Sequence, residues 1–278
     1  MATTIHPTAQ VDRRAQLDDG VVVGPNAVIE SDVAIGAGCQ VMAGAVIRRF
    51  TRMGTGNVVH PYCVLGGEPQ DKKFKSDWVT HLRIGADNVF REFVTLNRGS
   101  RPDAATVIGD RCYFMTGSHV GHDSLVAEGV ILTNGAAIGG HCEIGPGAYL
   151  SANTAVHQFC WLGEMAMIRG GHGVSQHIPP FAMVMGINFV AGLNVVALRR
   201  AEGFTPADRR QIKEAYRLLY RSSLTPAEAL QRMDTHDDWG APAGRFRDFV
   251  RRVLSADPPH DRGLATARVE QRHDHAGH

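Results

Sequence analysis

The sequence predicts a mainly-β protein, a solenoid of short parallel strands followed by a small helical domain, on three observations. Aliphatic side chains recur every six residues from Ile5 through Val11, Leu17, Val23, Ile29, Ile35, Val41, Ile47, Met53 and Val59 to Leu65, and the rhythm returns from Ile108 to Val174. A small or slim residue stands four positions after most of them, among them Ala9, Ala27, Cys39, Cys63, Cys112, Ala136, Cys142 and Cys160. Beyond the double proline Pro179-Pro180 the period becomes that of amphipathic helices.

A period of six belongs neither to a helix nor to a plain strand. It belongs to a coil of three short strands, each pointing one aliphatic residue inward and turning past a small one. With about 18 residues per coil this is a left-handed parallel β-helix. The 31 glycines and 7% aromatic content suit a solenoid of tight turns around a slim aliphatic core. All five cysteines occupy the small position, which predicts buried reduced thiols rather than disulfides or zinc ligands.

The solenoid is expected over residues 1–188, with two interruptions. GGEPQDKKFKSDWVTHLR, residues 66–83, is out of phase, and so is the stretch near 97–107, where Pro102 stands in place of an inward aliphatic. Long loops in a compact scaffold commonly carry function. A helical domain is expected over 189–258. Thr205-Pro206 opens a segment with Ile212, Ala215, Tyr216 and Leu219 on one face, and Thr225 to Glu228 is a capping-box pattern. A third segment carries Phe246, Phe249, Val250, Val253 and Leu254. The polar, histidine-rich stretch 259–278 reads as a disordered tail.

Lys and Arg number 29 against 28 acidic residues, so the net charge of +1 offers no global attraction for nucleic acid or a membrane. The start, MATTIHPTAQ, lacks a basic and then apolar leader, and no apolar run is long enough to span a bilayer. A cytoplasmic protein with no stable membrane insertion is expected.

Candidate chemistry lies in HVGHDSLV, residues 119–126. Adding one coil carries His122 to Gly140 and Asp123 to His141, and a second coil reaches Gln158 beside His157. Coils stack about 4.8 Å apart. His119, His122, Asp123, Gly140, His141, His157 and Gln158 are thus predicted to share one edge of the prism. A carboxylate next to an imidazole can orient it, and a glycine amide can approach a developing oxyanion. The chemistry this suggests is direct acyl transfer, with His122 as base and the Gly140 amide as oxyanion donor. No G-x-S-x-G elbow and no thiol falls in the patch, so a covalent intermediate is not expected. Solvated surface histidines, polar pairing across a trimer, and a zinc ion held by three imidazoles at about 2.0–2.1 Å are the alternatives. No cofactor and no metal is expected on the favoured reading.

IHPTA, GGEPQDKKF, FREFVTLNRG, GSHVGHDS, AAIGGH, AVHQFC and GVSQHIPP, in that order, resemble the UDP-N-acetylglucosamine acyltransferases that start lipid A synthesis, over about residues 5–225. The resemblance implies a homotrimer with active sites between subunits. It also implies transfer of a 3-hydroxyacyl chain from acyl carrier protein to the glucosamine 3-hydroxyl of UDP-N-acetylglucosamine. By position it makes His122 the general base, Asp123 its partner and Gly140 the oxyanion donor, with His119, His141 and His157 as further active-site histidines. Gln70, Asp71 and Lys73 match substrate-binding positions, and Gln158, Asn194 and Arg200 match the nucleotide side. Gly170 matches the position that limits the acyl groove, and glycine there implies a longer chain.

The chain departs from that pattern at Asn97, Val196 and Ala201, where some members carry histidine, glutamate and arginine, so the nucleotide side is less secure than the catalytic one. A 3-amino sugar nucleotide giving an amide, or a catalytically silent trimeric sugar-nucleotide-binding paralogue, is the alternative function. Arg210, Lys213 and Arg217 share a helix face suited to an acidic carrier protein.

Overall fold

The computed structural model describes residues 2–267. The chain winds into a three-sided prism whose faces are parallel sheets. Face A begins with strand Thr4–Ile5, face B with Gln10–Val11 and face C with Gln16–Leu17. Each strand pairs with the one a coil further on, as Thr4 does with Val22, Gln10 with Val28 and Gln16 with Ala34. The fold is the left-handed parallel β-helix that the six-residue period predicts.

The period works as expected. Inward Val23, Ile29, Ile35, Val41 and Ile47, and the slim Val21, Ala27, Val33, Cys39 and Ala45, are at most 1% exposed. Ile5, in the end coil with a neighbour on one side only, stays exposed. Most corners turn through a left-handed residue three places after the inward aliphatic, as at Asn26, Asp32 and Gly38 (φ 55°, 60° and 72°). Asn, Asp and Gly tolerate that region best. All five cysteines are buried and unpaired, and burial pushes the Cys63 thiol up to about 12, so it stays protonated.

Both loops leave at the same corner, between faces B and C. Residues 68–80 join strand Val64–Gly67 to His81–Ile84, and residues 98–104 join Thr95–Asn97 to Ala105–Ile108. They are narrower than the sequence suggests, because flanking residues lengthen the strands around them. Leu82 pairs with Thr106 and Gly67 with Asn97.

Pro179 and Pro180 end the three-sided winding but not the sheet. Ala182–Val184 still adds a parallel strand to face A, and Val190–Leu193 returns antiparallel, so the sheet outlasts residue 188. Four helices follow: α1 (Val195–Arg200), α2 (Pro206–Tyr220), α3 (Pro226–Met233) and α4 (Ala241–Leu254). Thr205 with Asp208 and Thr225 with Glu228 form full capping boxes. Leu198, Ile212, Leu218, Phe246 and Val250 make a second core, which Phe181 joins to the solenoid end. The helical domain docks on face C through the ion pairs Arg252–Glu143 and Arg245–Glu164.

The expected disorder from 259 onward needs correction for residues 259–267. This segment crosses back over the solenoid, bridging Leu264 to His177 and Thr266 to Phe189. The last coils leave backbone groups without a further coil to pair with, and a polar segment can satisfy them whatever its own periodicity. The closing histidines, within 268–278, lie outside the described residues. Among the described residues no helix is long and apolar enough to cross a membrane.

Candidate active site

The corner that carries both loops also carries the predicted site. On the coils above, the B-to-C turns are Gly121–Ser124, Gly139–Cys142 and His157–Cys160. Stacking is direct: the His141 amide donates to the His122 carbonyl at 2.9 Å, and the Phe159 amide to the Gly140 carbonyl at 3.0 Å. The coil arithmetic from the sequence therefore holds.

The His122 and Asp123 side chains are only 13% and 11% exposed. His122 Nδ1 lies 2.7 Å from Asp123 Oδ2, and His141 Nε2 lies 3.5 Å from the same oxygen. The Ser100 amide, from the second loop, donates to both Asp123 oxygens at 3.1 and 3.2 Å, and Thr106 Oγ1 accepts the Asp123 backbone N–H at 2.8 Å. Burial works against the charged carboxylate, but hydrogen bonds from His122 and Ser100 outweigh it and hold Asp123 below its ordinary value. A carboxylate so held accepts from His122 Nδ1–H, which leaves the Nε2 lone pair free.

Gly140 lies buried beneath that ring. A Cβ there would come within 2.7 Å of His122 Cε1 and 2.8 Å of Nε2, so only glycine leaves the imidazole its place. A Cβ on Gly121 would likewise meet the Gly140 nitrogen at 2.7 Å. Among the described residues the Gly140 amide N–H has no acceptor. The corner thus presents a base and an open N–H side by side.

His119 lies on face B next to the corner, with Nδ1 2.8 Å from Thr95 Oγ1, and burial lowers its pKa. His157 and Gln158 sit two turns above His122 and are exposed, and His157 Nδ1 donates to the Gln158 carbonyl. Gln70, Asp71 and Lys73 lie in the first loop, where the Asp71 carboxylate accepts the Lys73 amide at 2.9 Å. Asn194 is the N-cap of α1, its oxygen accepting from Ala197 and its amide donating to the Met165 carbonyl, so it is engaged in the fold. Arg200 is exposed at the end of α1. Gly170 is on a different edge, between faces A and B, where an added Cβ would lie 3.1 Å from the Ala152 carbonyl oxygen. Within one chain, then, His122, Asp123, Gly140 and His141 are in direct contact, with His119 beside them. The basic face of α2 is also smaller than the sequence suggests, because Glu214 holds Arg217.

His122, Asp123 and His141 offer ligand atoms within 4.8 Å of one another, which tests the zinc alternative. That centre needs three imidazoles, and this group has two. The carboxylate oxygen sits at hydrogen-bond distance from His122, the geometry of an oriented base.

Sequence reasoning did not find Ser100, Thr106 or Phe159. Phe159 stacks on His141 with ring centres 4.7 Å apart and planes 8° from parallel. Stacking one coil beyond His141 would have found Phe159, and no sequence signal pointed to Ser100.

A family profile described as UDP N-acetylglucosamine O-acyltransferase, domain 2, matches residues 178–264. The chain is 40% identical over 249 residues to an acyl-acyl-carrier-protein UDP-N-acetylglucosamine O-acyltransferase of Syntrophobacter fumaroxidans, covering 88% of this chain and 96% of the relative. It is 43% identical over 233 residues to one from Verminephrobacter eiseniae, covering 83% and 88%. Solved UDP-N-acetylglucosamine acyltransferases superpose along nearly the whole chain. That of Bacteroides fragilis has a TM-score of 0.85 at 33% identity, covering 94% of this chain and 99% of its own, and that of Francisella novicida 0.86 at 30%, covering 97% and 100%. On this identity and coverage, the chain belongs to the family of UDP-N-acetylglucosamine O-acyltransferases that use acyl carrier protein as donor.

Proposed function

We propose that this protein transfers a 3-hydroxyacyl chain from acyl carrier protein to the glucosamine 3-hydroxyl of UDP-N-acetylglucosamine, the opening step of lipid A synthesis. The observation that carries the mechanism is the juxtaposition of His122, oriented by Asp123 at 2.7 Å, with the buried Gly140 amide directly beneath its ring. His122 Nε2 takes the proton from the attacking hydroxyl, whose oxygen bonds to the thioester carbonyl carbon. The Gly140 N–H stabilises the resulting oxyanion. The carbon–sulfur bond then breaks, and the imidazolium returns its proton to the leaving thiolate of the carrier protein. A positioned base of this kind contributes roughly two to four powers of ten. His119, His141, His157 and Gln158 bind substrate along the corner.

The reading includes a homotrimer. Face B carries no charged outward residue apart from His119 and presents Val28, Val46, Val64, Ala137 and Ala155, whereas face C mixes the charged Arg52, Arg83 and Glu143 with Ala34, Val107 and Leu125. The site stands at the edge of the apolar face, which a second subunit would cover. A neighbour there can supply Gln70, Asp71 and Lys73, Asn194 and Arg200, or Gly170 to the same cleft. Arg210 and Lys213 remain as a basic docking face for the acidic carrier protein.

The test is acyl transfer by purified protein from a panel of 3-hydroxyacyl carrier proteins to UDP-N-acetylglucosamine and its 3-amino analogue. Turnover that is lost in His122→Ala is expected. A preference for the amino analogue would make the product an amide, and an inactive, well-folded trimer would mean a binding paralogue.

A further inference from the structure

The segment that returns over the solenoid ends its approach at the active-site corner. We infer that His260 is a positioning residue of this enzyme: its ring holds Phe159 against His141 and so fixes the His141 imidazole beside Asp123. The inference rests on the function proposed above.

Asp123, His141 and Phe159 occupy the same left-handed corner position on successive coils, with φ of 58°, 58° and 67°. That backbone region disfavours bulky side chains, and Phe159 is held there by contacts from outside its own turn. His260 supplies two of them. Its Nδ1–H donates to the Phe159 carbonyl at 3.2 Å, and its ring meets the Phe159 ring edge-on at 5.4 Å. The Phe159 ring lies flat on His141, whose Nε2 faces Asp123. A chain of ring contacts therefore runs from residue 260 to the carboxylate that orients the base.

His260 is itself held from the opposite side. Its ring stacks on Trp161 at 5.1 Å, and its carbonyl accepts from His177 Nε2 at 2.7 Å. The Arg252 guanidinium lies 3.6 Å from the Trp161 ring centre, which ties the same stack to α4. The backbone of the returning segment is fastened separately, through Gly263, Leu264 and Thr266. Anchoring of the segment and contact with Phe159 are thus carried by different atoms. The His260 ring can be removed without removing the anchor.

The experiment compares the full-length protein with His260→Ala and His260→Phe. The first readout is the NMR titration of the His141 Cε1–H, which needs no turnover. Burial is the largest influence on His141 and lowers its pKa; Asp123 opposes it, while His122, Arg101 and His260 act in the same direction as burial. In His260→Ala the His141 titration is expected to move up toward its ordinary value and kcat to fall about tenfold, as for a displaced active-site group. His260→Phe keeps an aromatic ring against Phe159 but loses the Nδ1–H and any charge, and is expected to restore most of both if ring contact is what positions His141. Wild-type titration and kcat in the alanine variant would overturn the inference. So would a phenylalanine variant indistinguishable from alanine, since ring contact would then not be what holds His141. Absence of transfer by the wild type would fail the functional reading instead, and the titration would still decide whether His260 positions His141.

Discussion

His122 and Asp123 are neighbours in sequence, yet their side chains meet, with Nδ1 2.7 Å from Oδ2. In a strand, successive side chains diverge to opposite faces. The left-handed φ of 58° at Asp123 turns its carboxylate back over the corner toward the imidazole, and the Ser100 amide holds it there. His122→Ala is expected to lower kcat by roughly two to four powers of ten. Asp123→Asn should lose less, with KM for both substrates little changed, because the base remains but its orientation weakens. Steady-state kinetics separates the two; a KM effect without a kcat effect would assign Asp123 to binding.

The same carboxylate makes a stability prediction. Its pKa is lowered on folding below the ordinary aspartate value, so the native state favours the ionised form. The stabilisation is fully present above about pH 4 and is lost as pH falls through the lowered folded value. Denaturation of Asp123→Asn beside wild type should therefore show a gap at neutral pH that narrows in acid. A gap independent of pH would place the effect in packing rather than in charge.

Gly140→Ala tests the other half of the site. The new Cβ would lie 2.7–2.8 Å from the His122 ring, closer than real contacts allow, and the flexible imidazole must yield. The expected result is a loss of roughly two to three powers of ten in kcat with the solenoid still folded, comparable to removing one oxyanion donor. Circular dichroism and oligomeric state check the fold. Activity near wild type would mean that the ring can move without consequence.

The period of six made the solenoid legible, and with it the alignment of His122, Gly140 and Gln158, because one coil of a repeat converts sequence distance into stacking. Ser100 escaped because it stands in a loop whose register the repeat does not govern. The six residues of α1 are too few to show a helical period. The returning segment escaped for another reason. Residues 260–266 pair with the end of the solenoid, so their order comes from the edge they cover rather than from their own composition.

Arg98 gives a prediction of opposite sign for stability and for binding. It opens the second loop, is fully buried against the first, pairs with Glu68 at 3.3 Å and lies 5.4 Å from the Phe74 ring, yet its Nε and Nη1 have no hydrogen-bond partner. A buried charge with unmet donors contributes little net stability. Arg98→Met should leave the melting temperature equal or higher. It should also loosen residues 68–80, raising KM for substrate several-fold while kcat stays close to wild type. A large drop in stability would show that the ion pair outweighs its desolvation.

The returning segment should respond to pH through His177. This imidazole is fully buried; its Nδ1 accepts from the Trp161 amide at 2.9 Å and its Nε2–H donates to the His260 carbonyl at 2.7 Å. The first bond needs the neutral ring, since a proton on Nδ1 would face the Trp161 N–H, whereas the second would survive protonation. Burial is the first cause of its pKa lying below the ordinary imidazole value. The unfolded or detached state then binds the proton more readily. Attachment is at full strength above about pH 6.5 and weakens as pH falls toward the lowered folded value. Amide exchange in residues 260–266 should accordingly be slow relative to intrinsic rates at about pH 8 and faster relative to them at about pH 5. In His177→Phe that dependence should vanish, leaving attachment weaker at every pH because Trp161 and His260 each lose a partner. If the wild-type protection were flat across this range, the ring would not be the element that fastens the segment, and Gly263 and Thr266 alone would hold it.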